Sequence, residues 1–185
     1  MRRFILTGAP GSGKTAILRQ LELDGLSVVE EAATDVIAAA QNRGIAEPWK
    51  NPSFIDDIVQ LQQNRQLRAS HLSADIQFHD RSAVCTAALA AYLGYSITPV
   101  LTAELERIRR EAIFEKQVLF IRKLGFITNT EARRITFEET LRFEEIHEET
   151  YRSYGFELIE VAPASVSDRV VRIKSLIQAK FSIYH

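Results

Sequence analysis

The chain carries at residues 8–15 the sequence Gly8-Ala9-Pro10-Gly11-Ser12-Gly13-Lys14-Thr15, which fits the pattern G-x-x-x-x-G-K-[ST]. The glycines permit backbone conformations that a side chain would forbid, so that successive N–H groups can point at one phosphate. Lys14 adds a positive charge for the β- and γ-phosphates of a nucleotide, and the Thr15 hydroxyl can ligate Mg²⁺. A helix that begins directly after the loop would add the positive end of its dipole. We therefore predict a phosphate-binding loop made of Gly8, Ala9, Pro10, Gly11, Ser12, Gly13, Lys14 and Thr15.

The segments on either side of this loop have the pattern that such a loop requires. Residues 4–7 form the apolar run typical of a buried parallel strand, and residues 16–21 are apolar at helical spacing. A strand, a glycine-rich loop and a helix thus follow one another in the order found in P-loop proteins. The alternative interpretation is a plain glycine turn between a strand and a helix.

Length and composition limit the class of protein. A chain of 185 residues with 46% hydrophobic content fits one domain, residues 1–185, with a sizeable core. The formal net charge of −1, with both signs mixed, gives no indication of a nucleic-acid partner. Cys85 is the only cysteine, which fits a reducing cytosol. No apolar run approaches the roughly 18–20 residues of a membrane span, and the first strand leaves no room for a leader peptide. We therefore expect a cytoplasmic protein without a membrane anchor.

Acidic residues stand where two further predicted strands end. The second strand is predicted at residues 26–31 and ends in Glu30 and Glu31, and the third, at residues 74–80, ends in Asp80. Ligands of open α/β sheets bind at the carboxyl ends of the strands. We therefore predict that at least one glutamate faces the ligand, and that Asp80 is the acid on the magnesium side of the phosphate loop. The alternatives are favourable charge at a helix start for the glutamates and a helix N-cap for Asp80.

A long basic segment, residues 122–136, follows the fourth predicted strand at residues 117–121. It lacks clear periodicity, and a loop this long in a compact domain is uncommon and usually functional. We interpret it as a lid, in which Arg122, Arg133 and Arg134 are placed to neutralise charge on a transferring phosphoryl group. The alternative is a disordered basic loop.

Other conspicuous side chains are given structural interpretations. Trp49 is predicted to cover the edge of the core, and His79 to be an interior histidine. His147 is expected on the solvated acidic face of a helix that a capping box at residues 136–139 opens and that ends at Tyr154. The charge-rich helix predicted at residues 102–114 is also expected to face solvent. Polar residues of a long helix after Ser53 are mostly assigned to a solvated face, with one or two turned to the cleft: Gln62, Gln63, Arg65 and Arg68.

The predicted elements follow the order β-α-β-α-α-β-α-α-β-lid-α-β-α, typical of an α/β protein with helices on both faces of a parallel sheet. This order resembles the three-layer P-loop NTPase fold of the small P-loop kinases, whose five-stranded parallel sheet has the order 2-3-1-4-5. The closest likeness is to the AAA-type P-loop family that contains the ribosylnicotinamide kinase domain of NadR. Beyond the phosphate loop, the likeness rests on residues 31–37, Asp80-Arg81-Ser82, an arginine just before the capping box, and residues 151–161 leading into Ala162-Pro163. The family usually has an arginine where Thr34 stands, so acceptor recognition does not carry over intact.

The resemblance implies a set of roles for this chain. The phosphate loop would hold the phosphates of ATP, and Thr15 and Asp80 would position Mg²⁺. Glu31 would accept the proton of an acceptor hydroxyl or hold the acceptor. The phosphoryl group in flight would be stabilised by Arg81 and by one of Arg133 or Arg134, with Arg134 favoured. The residues after the fifth strand, Ala162 and Pro163 among them, would border the adenine.

Three functions compete at this stage. The first is a small-molecule kinase that transfers the γ-phosphoryl group of ATP to a nucleoside-like hydroxyl, supported by the basic lid and the strand-end acids. The second is a nucleotide-dependent switch or ATPase that acts through a protein partner. The third, a mechanical AAA+ ATPase, is disfavoured because that class requires a glutamate directly after the acid that ends the strand. In this chain Arg81 follows Asp80. The identity of the acceptor and the oligomeric state are not predicted.

Overall fold

The computed structural model describes residues 1–123 and 137–182. Its sheet is parallel and has the strand order β2-β3-β1-β4-β5, which confirms the predicted fold. The strands are β1 (Arg2–Thr7), β2 (Ser27–Val29), β3 (Ile76–Asp80), β4 (Gln117–Ile121) and β5 (Glu157–Val161). The helices are α1 (Lys14–Leu23), α2 (Ala33–Asn42), α3 (Ser53–Ala69), α4 (Ala83–Leu93), α5 (Pro99–Arg110), α6 (Phe137–Ser153) and α7 (Val166–Ser182). A 3-10 turn at Pro48–Lys50 precedes α3.

The sheet separates two hydrophobic clusters because successive side chains of a strand point to opposite faces. Ile5 of β1 belongs to the cluster with α3, α4, α5 and Tyr151 of α6. Phe4 and Leu6 belong to the cluster with α1 and α7 on the other face. The result is three layers, with the central strand β1 buried from Phe4 to Thr7.

Strand register brings the functional segments to one edge of the sheet. Leu6 of β1 lies beside Asp80 of β3 on one side and beside Leu119 of β4 on the other. The loop that follows β1 therefore emerges next to the end of β3. This is the carboxyl edge, where the sequence places the phosphate loop and the strand-end acid.

Element bounds differ from the prediction in two places that matter for the site. Strand β2 covers only Ser27–Val29, so Glu30 and Glu31 lie in the loop beyond it. Helix α5 spans Pro99–Arg110 and not residues 102–114, because the Thr98 hydroxyl caps its start by accepting from the backbone N–H of Leu101. Its Glu104 is buried and pairs with Arg107, so the prediction that the charged residues of this helix face solvent was wrong for Glu104.

The prediction for His147 was also wrong. Its side chain is 1% exposed, because this face of α6 packs against α4. The Nδ1 atom lies 2.8 Å from the Phe143 carbonyl oxygen, and burial lowers the pKa of His147 to about 3. The glutamates around it in the sequence lie on other faces of the helix or, like Glu144, are buried with it.

Two predictions fall outside the described part of the chain. The lid prediction covers residues 122–136, of which the structure describes only Arg122 and Lys123. Arg133, Arg134 and the start of the capping box therefore lie outside the described residues.

Within residues 1–123 and 137–182, no helix has the length and apolar content needed to cross a membrane.

Candidate nucleotide-binding site

The loop after β1 has a backbone that only glycine permits at its first position. Gly8 has a φ of +133°, and a Cβ atom there would lie 2.3 Å from the carbonyl oxygen of Ile121. At the other end, Gly13 adopts a left-handed conformation and is the N-cap of α1, which begins at Lys14. The loop thus leads into the N-terminus of α1, where backbone N–H groups and the helix dipole favour an anion.

Lys14 points back into this loop. Its ammonium donates to the carbonyl oxygens of Gly8 (3.0 Å) and Ala9 (2.9 Å) and to the Ser12 hydroxyl (3.3 Å). The residue is 6% exposed. Burial and, to a smaller extent, the Arg81 charge lower the pKa of Lys14 to about 7, although Asp80 and Glu31 act in the opposite direction. An anion in the loop would restore the charged form, because opposite charge favours it.

Asp80 ends β3 with a carboxylate that the fold leaves partly unsatisfied. The residue is 8% exposed, and its Oδ1 atom has no hydrogen-bond partner among the described residues. Burial raises the pKa of Asp80 above its ordinary value, although Arg81 and Lys14 act in the opposite direction. It is not the N-cap of α4, because Ser82 holds that position and its hydroxyl accepts from the Val84 N–H at 3.3 Å. The N-cap alternative for Asp80 is therefore wrong.

These oxygens suit Mg²⁺. A buried acceptor oxygen without a partner at Asp80, together with the exposed Thr15 hydroxyl on the first turn of α1, forms a small set of hard oxygen donors. Within the described ranges there is no cluster of three or more His, Cys, Asp or Glu side chains with metal-site geometry. Mg²⁺ binds through one or two protein oxygens and keeps waters and substrate phosphates as its other ligands.

Arg81 is held in a strained conformation. Its φ of 71° lies in the left-handed region, which costs a non-glycine residue free energy, and its backbone N–H donates to the Leu6 carbonyl oxygen at 3.0 Å. The guanidinium Nε lies 3.9 Å from Glu31 Oε1, and the side chain is 14% exposed. The turn between β3 and α4 therefore directs Arg81 towards Glu31 on the neighbouring loop.

Glu31 is fixed from two sides. Its Oε2 accepts from the Thr34 N–H (3.1 Å) and hydroxyl (2.6 Å), so the threonine at the position of a family arginine orients this carboxylate. Arg65 of α3 donates to the Glu30 carbonyl oxygen (3.2 Å) and to that of Glu31, and it also pairs with Asp35. Arg65 thus anchors the loop that carries the two glutamates, and it is one of the polar residues of α3 that face the cleft.

The two glutamates face different parts of the cleft. The carboxylate of Glu31 interacts electrostatically with Lys14, Asp80 and Arg81, whereas Glu30 is exposed. Glu30 instead lines an open pocket between the ends of β2 and β3 and the helices α3 and α5, whose space of about 330 Å³ includes the solvent at its mouth. The polar residues that line this pocket include Glu30, Gln62, Gln66, Asp80, Arg81 and Glu104.

His79 is an interior histidine, as predicted. It is 4% exposed, its Nε2 lies 2.9 Å from Gln77 Oε1, and its ring packs edge-on against Phe114 at 4.9 Å. Burial lowers the pKa of His79 to about 3, so the imidazole is neutral at physiological pH. Trp49 packs against the cluster around Phe54, which also agrees with its predicted place at the edge of the core.

A cluster of buried hydroxyl and thiol groups connects the segments that carry the site. The Tyr151 hydroxyl lies 3.1 Å from Ser82 Oγ and 3.0 Å from Cys85 Sγ, and Cys85 Sγ lies 3.0 Å from Thr7 Oγ1. These contacts join the last residue of β1, the junction that follows Arg81, and helix α6. Tyr151 belongs to a segment that carries the family resemblance, but the sequence offers no signal for its contacts across the fold.

We expect Tyr151→Phe to lower the free energy of unfolding by about 1–2 kcal/mol, because the buried Ser82 and Cys85 groups lose a partner. Urea unfolding would show this as a lower midpoint with an unchanged slope. Tyr154→Phe is the matched control, because Tyr154 is 41% exposed and follows the same helix. Equal midpoints for the two variants would contradict a structural role for the Tyr151 hydroxyl.

Four predicted site residues meet at the carboxyl edge of the sheet: Lys14, Glu31, Asp80 and Arg81, here called the charge cluster. Each interacts electrostatically with the others. Ala162 and Pro163 are exposed in the loop after β5, which Arg169 of α7 connects to the phosphate loop. Sequence reasoning missed Arg169, because nothing in its local pattern distinguishes it from other arginines on amphipathic helices.

The parallel sheet of order 2-3-1-4-5, with a glycine-rich phosphate loop after its central strand, defines the class of P-loop nucleotide-binding folds. A family model described as an AAA domain matches residues 3–169. The chain therefore belongs to this AAA domain family. No curated protein matches the sequence.

Solved structures with a similar fold include deoxyadenosine kinase from M. mycoides. Its complex with the products dCMP and dCDP superimposes with a TM-score of 0.64, covering 96% of this chain and 99% of the kinase. Its dCTP complex gives a TM-score of 0.60, covering 97% and 100%, and its dATP complex gives 0.56, covering 95% and 99%. Sequence identity is 13% in each case, so the likeness shows the fold.

Proposed function

We propose that this chain is an ATP-dependent phosphotransferase, which moves the γ-phosphoryl group of ATP to a hydroxyl of a small, nucleoside-like acceptor. The observation that supports it most is the charge cluster. Two cations and two carboxylates meet where the phosphate loop leads into α1, and a pocket that Asp80 and Arg81 also line opens beside them. A pure nucleotide-binding module has no need of a second pocket that shares Asp80 and Arg81 with the phosphate site.

Each member of the cluster has a part in the proposed reaction. The acceptor hydroxyl oxygen forms a bond to the γ-phosphorus while the bond to the β,γ-bridging oxygen breaks, and ADP leaves with that electron pair. The hydroxyl proton passes to Glu31, the carboxylate that Thr34 orients. Lys14 and Arg81 stabilise the negative charge on the phosphates during transfer.

Further residues are assigned from the family resemblance. Thr15 and Asp80 would hold Mg²⁺, which supplies neutralising charge to the β- and γ-phosphates when bound. We assign Arg134, with Arg133 as the other candidate, to the transferring phosphoryl group from a lid at residues 122–136. Ala162 and Pro163 would border the adenine in this one kinase-like domain of residues 1–185.

The comparisons favour a nucleoside-like acceptor. Deoxyadenosine kinase from M. mycoides shares the fold over nearly the whole chain and binds deoxynucleotides in the superimposed structures. The resemblance of residues 31–37 and of Asp80-Arg81-Ser82 to the family of the ribosylnicotinamide kinase domain of NadR points to the same class of acceptor. Because Thr34 stands where the family usually has an arginine, we expect an acceptor other than ribosylnicotinamide.

The proposal is tested by acceptor-dependent turnover. The protein is incubated with ATP, Mg²⁺ and a panel of ribonucleosides, deoxyribonucleosides and nucleoside analogues, and ADP formation is measured with and without each compound. We expect at least one acceptor to accelerate ADP release and to appear as its monophosphate by mass spectrometry. Tight ATP binding with no acceleration by any compound would overturn the kinase proposal in favour of a nucleotide-dependent switch.

A further inference from the structure

Arg169 connects two loops that the proposed function assigns to opposite ends of ATP. It lies at the end of the first turn of α7 and is 2% exposed, which makes it one of the largest fully buried side chains among the described residues. Its Nη1 donates to the carbonyl oxygen of Ser12 in the phosphate loop at 2.7 Å. Its Nε donates to the carbonyl oxygen of Ala164 in the loop after β5 at 3.1 Å. One rigid guanidinium thus spans both loops.

The charge of this guanidinium is not balanced by a carboxylate. Among the residues that the structure describes, no acidic side chain lies within ion-pairing distance of Arg169, and both of its acceptors are neutral backbone carbonyls. A buried cation without a counter-charge costs free energy, which a fold tolerates where the charge serves a ligand. The anion-binding loop directly above it is such a place.

Gly13 allows the guanidinium to approach the phosphate loop from behind. A Cβ atom at Gly13 would lie 3.2 Å from Nη2 and 3.5 Å from Nη1 of Arg169. The glycine at this position therefore serves two purposes, since it also adopts the left-handed conformation that begins α1. The guanidinium lies against Gly13 and the Ser12 carbonyl, so its positive charge adds to the potential of the loop and of the start of α1.

We propose that Arg169 is a positioning residue for the nucleotide: it holds the phosphate loop and the loop after β5 in one geometry and adds buried positive charge behind the phosphates. This inference rests on the proposed function, because it requires a nucleoside triphosphate whose phosphates and base meet these two loops. It assigns α7 a part in nucleotide binding that neither the phosphate-loop motif nor the charge cluster includes. Free inorganic tripolyphosphate shares the anionic part of this chemistry and lacks the base.

The test compares ATP with inorganic tripolyphosphate by isothermal titration calorimetry in Arg169→Met, Arg169→Lys and the matched control Arg172→Met. Arg172 lies on the same helix and is exposed. We expect Arg169→Met to weaken both ligands by about tenfold or more, because charge and loop geometry are both lost. Arg169→Lys should recover most of the tripolyphosphate affinity but not the ATP affinity, because a single ammonium cannot span both carbonyls. Arg172→Met should bind both ligands like the wild type.

Steady-state kinetics separate this role from a purely structural one. For Arg169→Met we expect the KM for ATP to rise about tenfold while kcat stays within about threefold, measured well below the melting temperature. Wild-type affinity for ATP in Arg169→Met, or a fall in kcat with an unchanged KM, would overturn the inference. Should Arg169→Met not fold, Arg169→Lys decides, and wild-type ATP affinity in that variant would overturn it. A wild-type protein that does not bind ATP would instead overturn the proposed function.

Discussion

Lys14→Met is expected to lower kcat/KM for ATP by about a hundredfold to a thousandfold and to leave the fold intact. In the proposed function this ammonium meets the phosphates, and methionine replaces it with an uncharged chain of similar length. Removing a buried cation also removes its desolvation cost, so the free energy of unfolding should change little. Nucleotide titration calorimetry and steady-state turnover measure the loss. Lys50→Met is the control, because the Lys50 side chain is 69% exposed.

The protonation of Lys14 gives a second measurement on the same variant. Burial and Arg81 lower the pKa of Lys14 to about 7 in the free protein, and bound phosphates should raise it again. A pH of 8.5 lies above the pKa of Lys14 in the free protein. If bound phosphates raise that pKa above 8.5, the side chain is a neutral amine before ATP binds and an ammonium afterwards. Wild-type protein should therefore take up a proton on binding ATP, seen in titrations in buffers of different ionisation enthalpy. Proton uptake that persists in Lys14→Met would contradict the assignment to Lys14.

The parts of the site that the sequence predicts are those that local pattern determines. The spacing of glycines and lysine in residues 8–15 requires a strand before it and a helix after it, and an acid at a strand end follows from the same topology. The strand order then places Asp80 beside the loop, because β3 pairs with β1. The strand-end pattern left Glu30 and Glu31 open and only the family resemblance favoured Glu31, because their difference depends on the side-chain contact of Glu31 with Thr34.

The parts that the sequence does not predict depend on contacts between distant residues. Arg169 and Ser12 are 157 residues apart, and Tyr151 and Cys85 are 66 apart, so no window of sequence holds both partners. The left-handed backbone of Arg81 is also invisible to propensity, since arginine rarely adopts it and surrounding structure must impose it. His147 was assigned to the wrong face because glutamates surround it in sequence, whereas packing of α6 on α4 decides its burial.

Asp80→Asn is expected to lower kcat/KM for ATP in the presence of Mg²⁺ by about a hundredfold. The buried Oδ1 has no partner among the described residues, and asparagine keeps the shape of the side chain but removes the charge that a hard cation requires. Binding of ATP in the presence of a chelator should be unchanged or tighter, because a negative charge beside the phosphates is lost. Titration calorimetry with and without Mg²⁺ measures both effects.

The opposite responses of the two ligands make this prediction specific to a metal-side acid. A carboxylate that only supported the fold would, on removal, weaken ATP with and without Mg²⁺ to the same extent. Asp75→Asn is the matched control, because Asp75 is exposed and lies directly before the same strand, at the opposite edge of the sheet. Equal losses with and without Mg²⁺ in Asp80→Asn would assign the residue to the architecture of the β3–α4 turn. A loss confined to Mg²⁺–ATP would assign it to the metal, and with it the orientation of the phosphates towards the pocket that Asp80 and Arg81 line.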